Sequence, residues 1–279
     1  MHDAILCAMQ ALLDLITGSE EAALDRAALE IARIEYPGLD IEPFIGLLDS
    51  YAEELSERLA ASTGGQAYVA AANQYLFAEL GFTGNAGDYY DPRNSCLNDV
   101  LTARTGIPIT LAVVYLEIAR RLARPVDGIG LPGHFLVRYR DAEFTAFIDV
   151  FAGGSMLSRE ECFALARRST GALLRDDPAM LTPAGNRQIV MRMLRNLRGV
   201  YFHRRAYGKA LQTLDLLLAG DPPEAEDFKL RGTVHLQLGN PAAARHDLET
   251  YLRLAPAAED VAEVEQRLRA LRGYQARLN

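Results

Sequence analysis

The sequence predicts an α+β fold that is predominantly helical, and three observations lead to that reading. Apolar residues recur at three- and four-residue intervals through most of the first 80 residues and again from Gln188 onward. Between these stretches, Val126 to Val150 breaks into short runs rich in β-branched and aromatic side chains. The helical tail repeats its pattern about every 34 residues. With 279 residues and 49% hydrophobic content, the chain can bury a full core and has room for more than one domain. The expected division is a helical region over 1–80, a mixed core with a small antiparallel sheet over 81–182, and helical repeats over 183–279.

Taken in order, the first region starts at Asp3. It carries helical periodicity over Glu20 to Ile34, Ile41 to Leu59 and Gln66 to Leu80, broken at Pro37-Gly38 and at Ser62-Thr63-Gly64-Gly65. Gly81 to Arg93, rich in Gly, Asn, Asp and Tyr, reads as an ordered loop. Asn94-Ser95 then offers a cap for a helix over Cys96 to Ala103. Pro108 suits a first helical position, and the residues after it are apolar on nearly every side until Glu117, Arg120 and Arg121. That pattern marks a central buried helix.

Beyond Pro125 the chain reads as strands, with His134 to Tyr139 and Phe144 to Val150 joined by a tight turn on Asp141-Ala142. Counting outward equally from that turn sets His134 opposite Asp149, with their Cβ atoms about 5 Å apart on one face. An imidazole and a carboxylate so placed can hydrogen bond, the arrangement that orients a base in nucleophilic catalysis. Ser158, with Glu161 three residues on, caps a helix reaching Leu174, and Asp176-Asp177-Pro178 with Thr182-Pro183 forms a linker. In the tail, Leu194, Tyr201, Ala210, Leu214 and Pro222 recur 34 residues later as Phe228, His235, Ala244, Leu248 and Pro256. This period, with small alanines at the helix crossing and proline at the repeat end, is the tetratricopeptide signature. Ala258 to Arg272 is expected to act as a capping helix. Concave helical surfaces of this type usually bind protein or peptide segments, which is the expected partner.

The order of buried helix, strand-borne histidine and strand-borne aspartate resembles the transglutaminase and papain-like core, where a cysteine at the helix start is the nucleophile. More closely, four segments resemble the bacterial SirB-type family, a transglutaminase-like core joined to tetratricopeptide repeats. They are Tyr90-Asp91-Pro92-Arg93-Asn94-Ser95, Leu97-Asn98-Asp99-Val100-Leu101, Gly106-Ile107-Pro108-Ile109 and Leu131-Pro132-Gly133-His134-Phe135. The enzymes of that superfamily open the helix with Gly-Val-Cys and carry alanine four residues beyond the cysteine. Here Gly106-Ile107-Pro108 and Ala112 hold those places. The resemblance therefore implies a triad that keeps His134 and Asp149 but has Pro108 in place of its nucleophile. It also implies a bacterial cytosolic protein with no settled reaction, and the reading adopted is a binding or regulatory module.

Two residues compete for the missing role. Cys96 reads either as a displaced nucleophile at a helix start or as a small buried apolar side chain, and the second reading is preferred. Thr110, two residues after Pro108, reads either as a hydroxyl nucleophile or as a side chain hydrogen-bonded to backbone. The alternative to a binding module is thus a cysteine-protease, amidase or transglutaminase-like enzyme using Cys96 or Thr110 with His134 and Asp149.

The net charge of -8 gives no electrostatic reason to expect nucleic acid or an anionic membrane as a partner. The basic cluster from Arg187 to Arg205 reads as a solvated helix face. Cys7, Cys96 and Cys162 lack metal-like spacing and indicate reduced thiols in a cytoplasmic protein. No run approaches the roughly 18 apolar residues of a membrane span, and the acidic Asp3 and Asp14 argue against a secretory leader. His203, His235 and His246 have no spacing that suggests a metal, and His2 carries no information; neither metal nor cofactor is expected.

Overall fold

The computed structural model describes residues 9–18, 23–59, 64–220 and 222–275. His2 and Cys7, and the expectations that touch Asp3, Glu20 and Ser62-Thr63, lie outside the described residues. The chain forms two compact units. One extends to Met193, and the other comprises the chain from Leu194 on together with Ile16–Gly18.

The first unit begins with helices α1 (Gln10–Thr17), α2 (Leu24–Ile31), α3 (Glu42–Leu59) and α4 (Gly65–Asn73), the last running on into a π-helical turn over Gln74–Glu79. Leu48, Leu55 and Tyr51 of α3 are buried, as the three- and four-residue spacing predicts. The expected loop that follows contains strand β1 (Thr83–Gly84) and a 3-10 turn over Pro92–Ser95. Asn94-Ser95 does not cap the next helix. Asp91 caps the 3-10 turn instead, accepting from Arg93 N at 3.0 Å, because Pro92 fixes the backbone at its first position. Helix α5 (Leu97–Ala103) ends on Arg104 in the left-handed region (φ 55°), and β2 (Thr105–Gly106) then pairs in parallel with β1.

Helix α6 (Pro108–Arg121) is the centre of the unit. Every residue from Pro108 to Ala119 is buried, and the helix packs against α3 on one side and the sheet on the other. Glu117 is also buried, where the sequence had placed the end of the apolar stretch. Its carboxylate accepts from Arg120 Nε at 2.8 Å and Arg121 Nη1 at 2.9 Å, and Arg121 Nη2 reaches Asp25 of α2 at 2.7 Å. The carboxylate is tolerated there because Arg121 is largely buried beside it, while Arg120 reaches it from the surface.

The sheet has five antiparallel strands in the order β6-β5-β4-β3-β7. They are β3 (Val126–Ile129), β4 (Leu136–Arg140), β5 (Thr145–Asp149), β6 (Ser155–Leu157) and β7 (Pro183–Ala184). The β4–β5 register pairs Arg140 with Thr145 and Val137 with Ile148. The turn is therefore Asp141 to Phe144, two residues longer than the turn on Asp141-Ala142. Asp141 Oδ1 sets that length by accepting from Glu143 N at 2.9 Å and Phe144 N at 2.7 Å. Helix α7 (Arg159–Thr170) has the expected capping box between Ser158 and Glu161, but stops at Gly171 (φ 66°) rather than Leu174.

The second unit is helical. Helices α8 (Asn186–His203), α9 (Tyr207–Leu218), α10 (Ala225–Gln237), α11 (Pro241–Leu254) and α12 (Val261–Gln275) complete the chain. Ala210 and Ala244 are fully buried, as are Leu214 and Leu248, so the 34-residue repeat marks equivalent core positions. Gly232 belongs to the same crossing: a Cβ there would lie 3.0 Å from Leu248 Cγ and 3.2 Å from the Ala244 carbonyl oxygen. The basic stretch is not merely a solvated face. Arg195 pairs with Glu224 and Arg198 with the buried Asp227, and Arg231 bridges Asp215 and Asp247 at 2.8 Å each.

Candidate functional site

His134 sits two residues before β4, in the Leu131–Phe135 turn, and Asp149 is the last residue of β5. Continuing the observed register would set Leu136, not His134, opposite Asp149. His134 is the diagonal neighbour on the same face. The two side chains meet with His134 Nε2 at 2.9 Å from Asp149 Oδ1, and both residues are buried. The hydrogen bond forms although the cross-strand pairing expected for it does not.

Asp149 is held on several sides. Its Oδ1 also accepts from Phe151 N at 3.1 Å and Ala152 N at 3.3 Å, and its carbonyl accepts from Gly154 N at 2.9 Å. A carboxylate that accepts two backbone N–H groups acts as an acceptor toward the imidazole too, so Nε2–H donates to it. Phe151 closes one side of the ring edge-on, with centroids 6.0 Å apart. Gly84 of β1 gives Phe151 its place, since a Cβ there would lie 2.4 Å from the Phe151 ring.

Pro108 occupies the first position of α6, after Ile107 in extended conformation. It has no ionisable group, so the helix N-terminus has no thiolate to stabilise. Thr110 is completely buried. Its Oγ1 accepts from Ile107 N at 3.2 Å and lies 2.8 Å from the Asn94 carbonyl oxygen and 3.1 Å from that of Ile107. With its one proton engaged by backbone carbonyls, the hydroxyl works as a structural clasp between the 3-10 turn and α6. Gly106 makes room for it, because a Cβ there would come within 2.8 Å of Oγ1. Cys96 is fully buried at the N-cap of α5.

Two features near the pair escaped the sequence reading. Cys162 lies in the apolar cluster of Ile129, Leu131, Leu136, Phe163 and Leu181. Burial, reinforced by the negative charges of Glu161 and Asp149, pushes its thiol up to about 12. A thiol so raised stays protonated and is a poor nucleophile. Arg192, on the first-unit part of α8, donates from Nη2 to Leu131 O at 2.6 Å and to His134 O at 2.7 Å, so it fixes the turn that carries the histidine. Burial lowers its pKa, and its guanidinium lies over the Phe135 ring at 5.4 Å. Composition alone could not separate this arginine from its neighbours in the basic run.

Among the described residues no group of three or more His, Cys, Asp or Glu side chains could hold a metal ion, and no helix is long and apolar enough to cross a membrane. His235 faces Asp247 at 3.8 Å. What the first unit offers chemically is an imidazole oriented by a buried carboxylate, and a helix start without a nucleophile.

Comparisons with known proteins fit this geometry. The sequence profile of the transglutaminase-like superfamily matches residues 42–195, and a tetratricopeptide-repeat profile matches residues 197–269. A UPF0162 protein of Xylella fastidiosa is 42% identical over 245 residues, which cover 87% of each chain. The UPF0162 protein of Pseudomonas aeruginosa is 32% identical over 262 residues, 93% of this chain and 94% of that one. F-box only protein 21 of Mus musculus is 32% identical over 180 residues, 61% of this chain and 28% of that protein.

Proposed function

The chain belongs to the transglutaminase-like superfamily and, within it, to the UPF0162 family, and from that premise we propose that it is a non-catalytic binding or regulatory module. Its transglutaminase-like unit is a stable body bearing the remnant of a catalytic triad, and its tetratricopeptide repeats take a protein or peptide partner. The observation that carries this reading is Pro108 at the helix start, where active relatives of the fold place a cysteine. The engagement of the Thr110 hydroxyl with backbone and the burial of Cys96 support it, since each removes a substitute nucleophile. His134 and Asp149 then serve as a structural pair that ties the turn before β4 to the end of β5.

The finer parts of the reading belong to the same proposal. The boundaries at residues 80 and 182 separate a helical region and a core that work as one body from the repeats. The proposal includes functional kinship with the SirB-type proteins and the cytoplasm as working compartment.

The test is complementation in the native cell of a strain lacking this gene. The module reading expects His134→Ala, Asp149→Asn and Cys96→Ala to restore the phenotype wherever the variant folds normally by circular dichroism. Loss of complementation by a normally folded His134→Ala chain, together with turnover of an acyl or amide substrate by the natural one, would establish the enzyme reading instead.

A further inference from the structure

We infer that the Arg192 guanidinium and the Tyr89 hydroxyl form a binding site for a single carboxylate beside the turn that carries His134. Both residues belong to the first unit. The site is the same whether or not His134 takes part in chemistry, so the inference does not rest on the function proposed above.

The site follows from a charge without a counter-ion. Nη2 of Arg192 spends its protons on the Leu131 and His134 carbonyls, at 2.6 and 2.7 Å, and both acceptors are neutral. The Phe135 ring at 5.4 Å adds cation–π attraction but no negative charge. Among the described residues no carboxylate stands at ion-pair distance from Arg192. By contrast, Arg26, Arg93, Arg121 and Arg231 each meet an aspartate or glutamate. Those carboxylates hold the four guanidiniums above their ordinary pKa, whereas burial pulls Arg192 down and only Tyr89 acts against it. A cation half taken out of water without an anion is costly, and a bound carboxylate returns the lost interaction.

The remaining donors point to the same class of ligand. Nη1 and Nε of Arg192 have no acceptor among the described residues and are not enclosed, so they are open to solvent. Gly130 keeps the Nη1 arm clear, since a Cβ there would lie 3.1 Å from it. Tyr89 is within electrostatic reach of Arg192, and burial holds its phenol above the usual range, so the hydroxyl keeps its proton. That hydroxyl likewise has no partner among the described residues and is not enclosed. The Tyr89 ring, 41% exposed, packs edge-on against Tyr90 with centroids 5.8 Å apart, which leaves an aromatic wall beside the charge. One positive charge with N–H and O–H donors to spare calls for a ligand that is an acceptor and carries one negative charge. A carboxylate meets both conditions. A phosphate dianion brings one charge too many, and a neutral amide leaves the guanidinium unbalanced.

A carboxylate could come from a free small acid or from an acidic side chain of a peptide, so the test uses both with the intact chain. Amide chemical shifts are followed in a chloride-poor buffer at about pH 8, where phosphate carries two charges. The protein is titrated with acetate, with N-acetyl-glutamate α-amide, with acetamide as the neutral isostere and with inorganic phosphate. Saturable shifts centred on Tyr89 and on Leu131 to Phe135 are expected with at least one carboxylate, weaker ones with phosphate and none with acetamide. Acetate binding at least as tightly as the blocked glutamate assigns a small acid; tighter binding of the blocked glutamate assigns a peptide. Arg192→Gln should weaken binding roughly tenfold. Should that chain fail to fold for want of the bonds to the turn, Tyr89→Phe, which removes one donor and no charge, should still weaken binding roughly threefold. Absence of saturable shifts with both carboxylates, equal response to acetamide, tighter binding of phosphate, or undiminished affinity in both variants overturns the inference.

Discussion

At the scale of single residues, everything turns on what stands at the start of α6. Pro108 satisfies that position locally, having no N–H to leave unpaired and a φ already suited to a helix, so the residue that removes the chemistry also begins the helix well. Pro108→Cys should restore a thiol at a helix N-terminus. If His134 Nδ1 faces it, alkylation measured against pH should give a thiol pKa well below the usual 8.5 or so, and His134→Ala in the same chain should raise it. An ordinary pKa, or one indifferent to His134, would show that the pair was never aligned for cysteine chemistry. The natural thiols provide the baseline. Cys162, raised to about 12, and the fully buried Cys96 should resist iodoacetamide at neutral pH in a Cys7→Ser background until the protein is unfolded. Fast labelling of folded Cys96 would revive it as a displaced nucleophile.

At the scale of elements, the β4–β5 turn and the charged end of α6 decide how well the site is held. Asp141 closes its turn through two backbone N–H groups, and Tyr139 Oη donates to its other oxygen at 2.9 Å. Asp141→Ala should lower the urea unfolding midpoint and loosen the β4–β5 register, seen as faster amide exchange from Arg138 to Phe147. The helix starts, the capping box at Ser158 and the buried character of α6 were legible because each depends on neighbouring residues. The register was not, because equal counting assumed a two-residue loop, whereas Asp141 supports a four-residue one. Strands β1, β2, β6 and β7 are two or three residues long, too short for alternation to show, so Pro183 of β7 reads as linker from the sequence. The hydrogen bond of His134 to Asp149 survives the shift because a two-residue change keeps both side chains on one face.

Glu117 makes the second element-scale prediction. Burial holds its carboxyl above the ordinary carboxylate range, with the negative charge of Asp25 adding to the effect against the pull of Arg120 and Arg121. A carboxyl whose folded pKa exceeds its unfolded one binds more protons when folded. Its contribution to stability is therefore greatest at low pH and is lost as pH rises through the raised value. The stability of the natural chain relative to Glu117→Gln should accordingly fall with rising pH from the ordinary carboxylate range upward, by chemical denaturation at several pH values. Arg121 is the inner partner, 12% exposed at its side chain against 57% for Arg120. Arg121→Ala should therefore cost about 3 kcal/mol or more, and Arg120→Ala much less, because only the first leaves buried carboxylates without their cation. Equal costs would contradict this account of the network.

At the scale of the whole molecule, the chain has two compact units, and the sequence announced them differently. The first is recognisable through its motifs, while the second is recognisable through its 34-residue spacing, which survives departures such as His235 for an aromatic because the helix crossing depends on size at Ala210, Ala244 and Gly232. Each compact unit is expected to open with its own stability. Gly232→Val would drive a branched side chain against Leu248 and the Ala244 carbonyl, a clash worth about 1–3 kcal/mol of overpacking. Hydrogen exchange should then show protection falling across α10 and α11 while amides of α6, β4 and β5 keep their natural rates. The pattern follows from local unfolding, in which each cooperative unit opens with its own free energy. If protection fell equally in the strands that carry His134 and Asp149, the units would unfold as one, and a partner bound by the repeats would also stabilise the triad remnant.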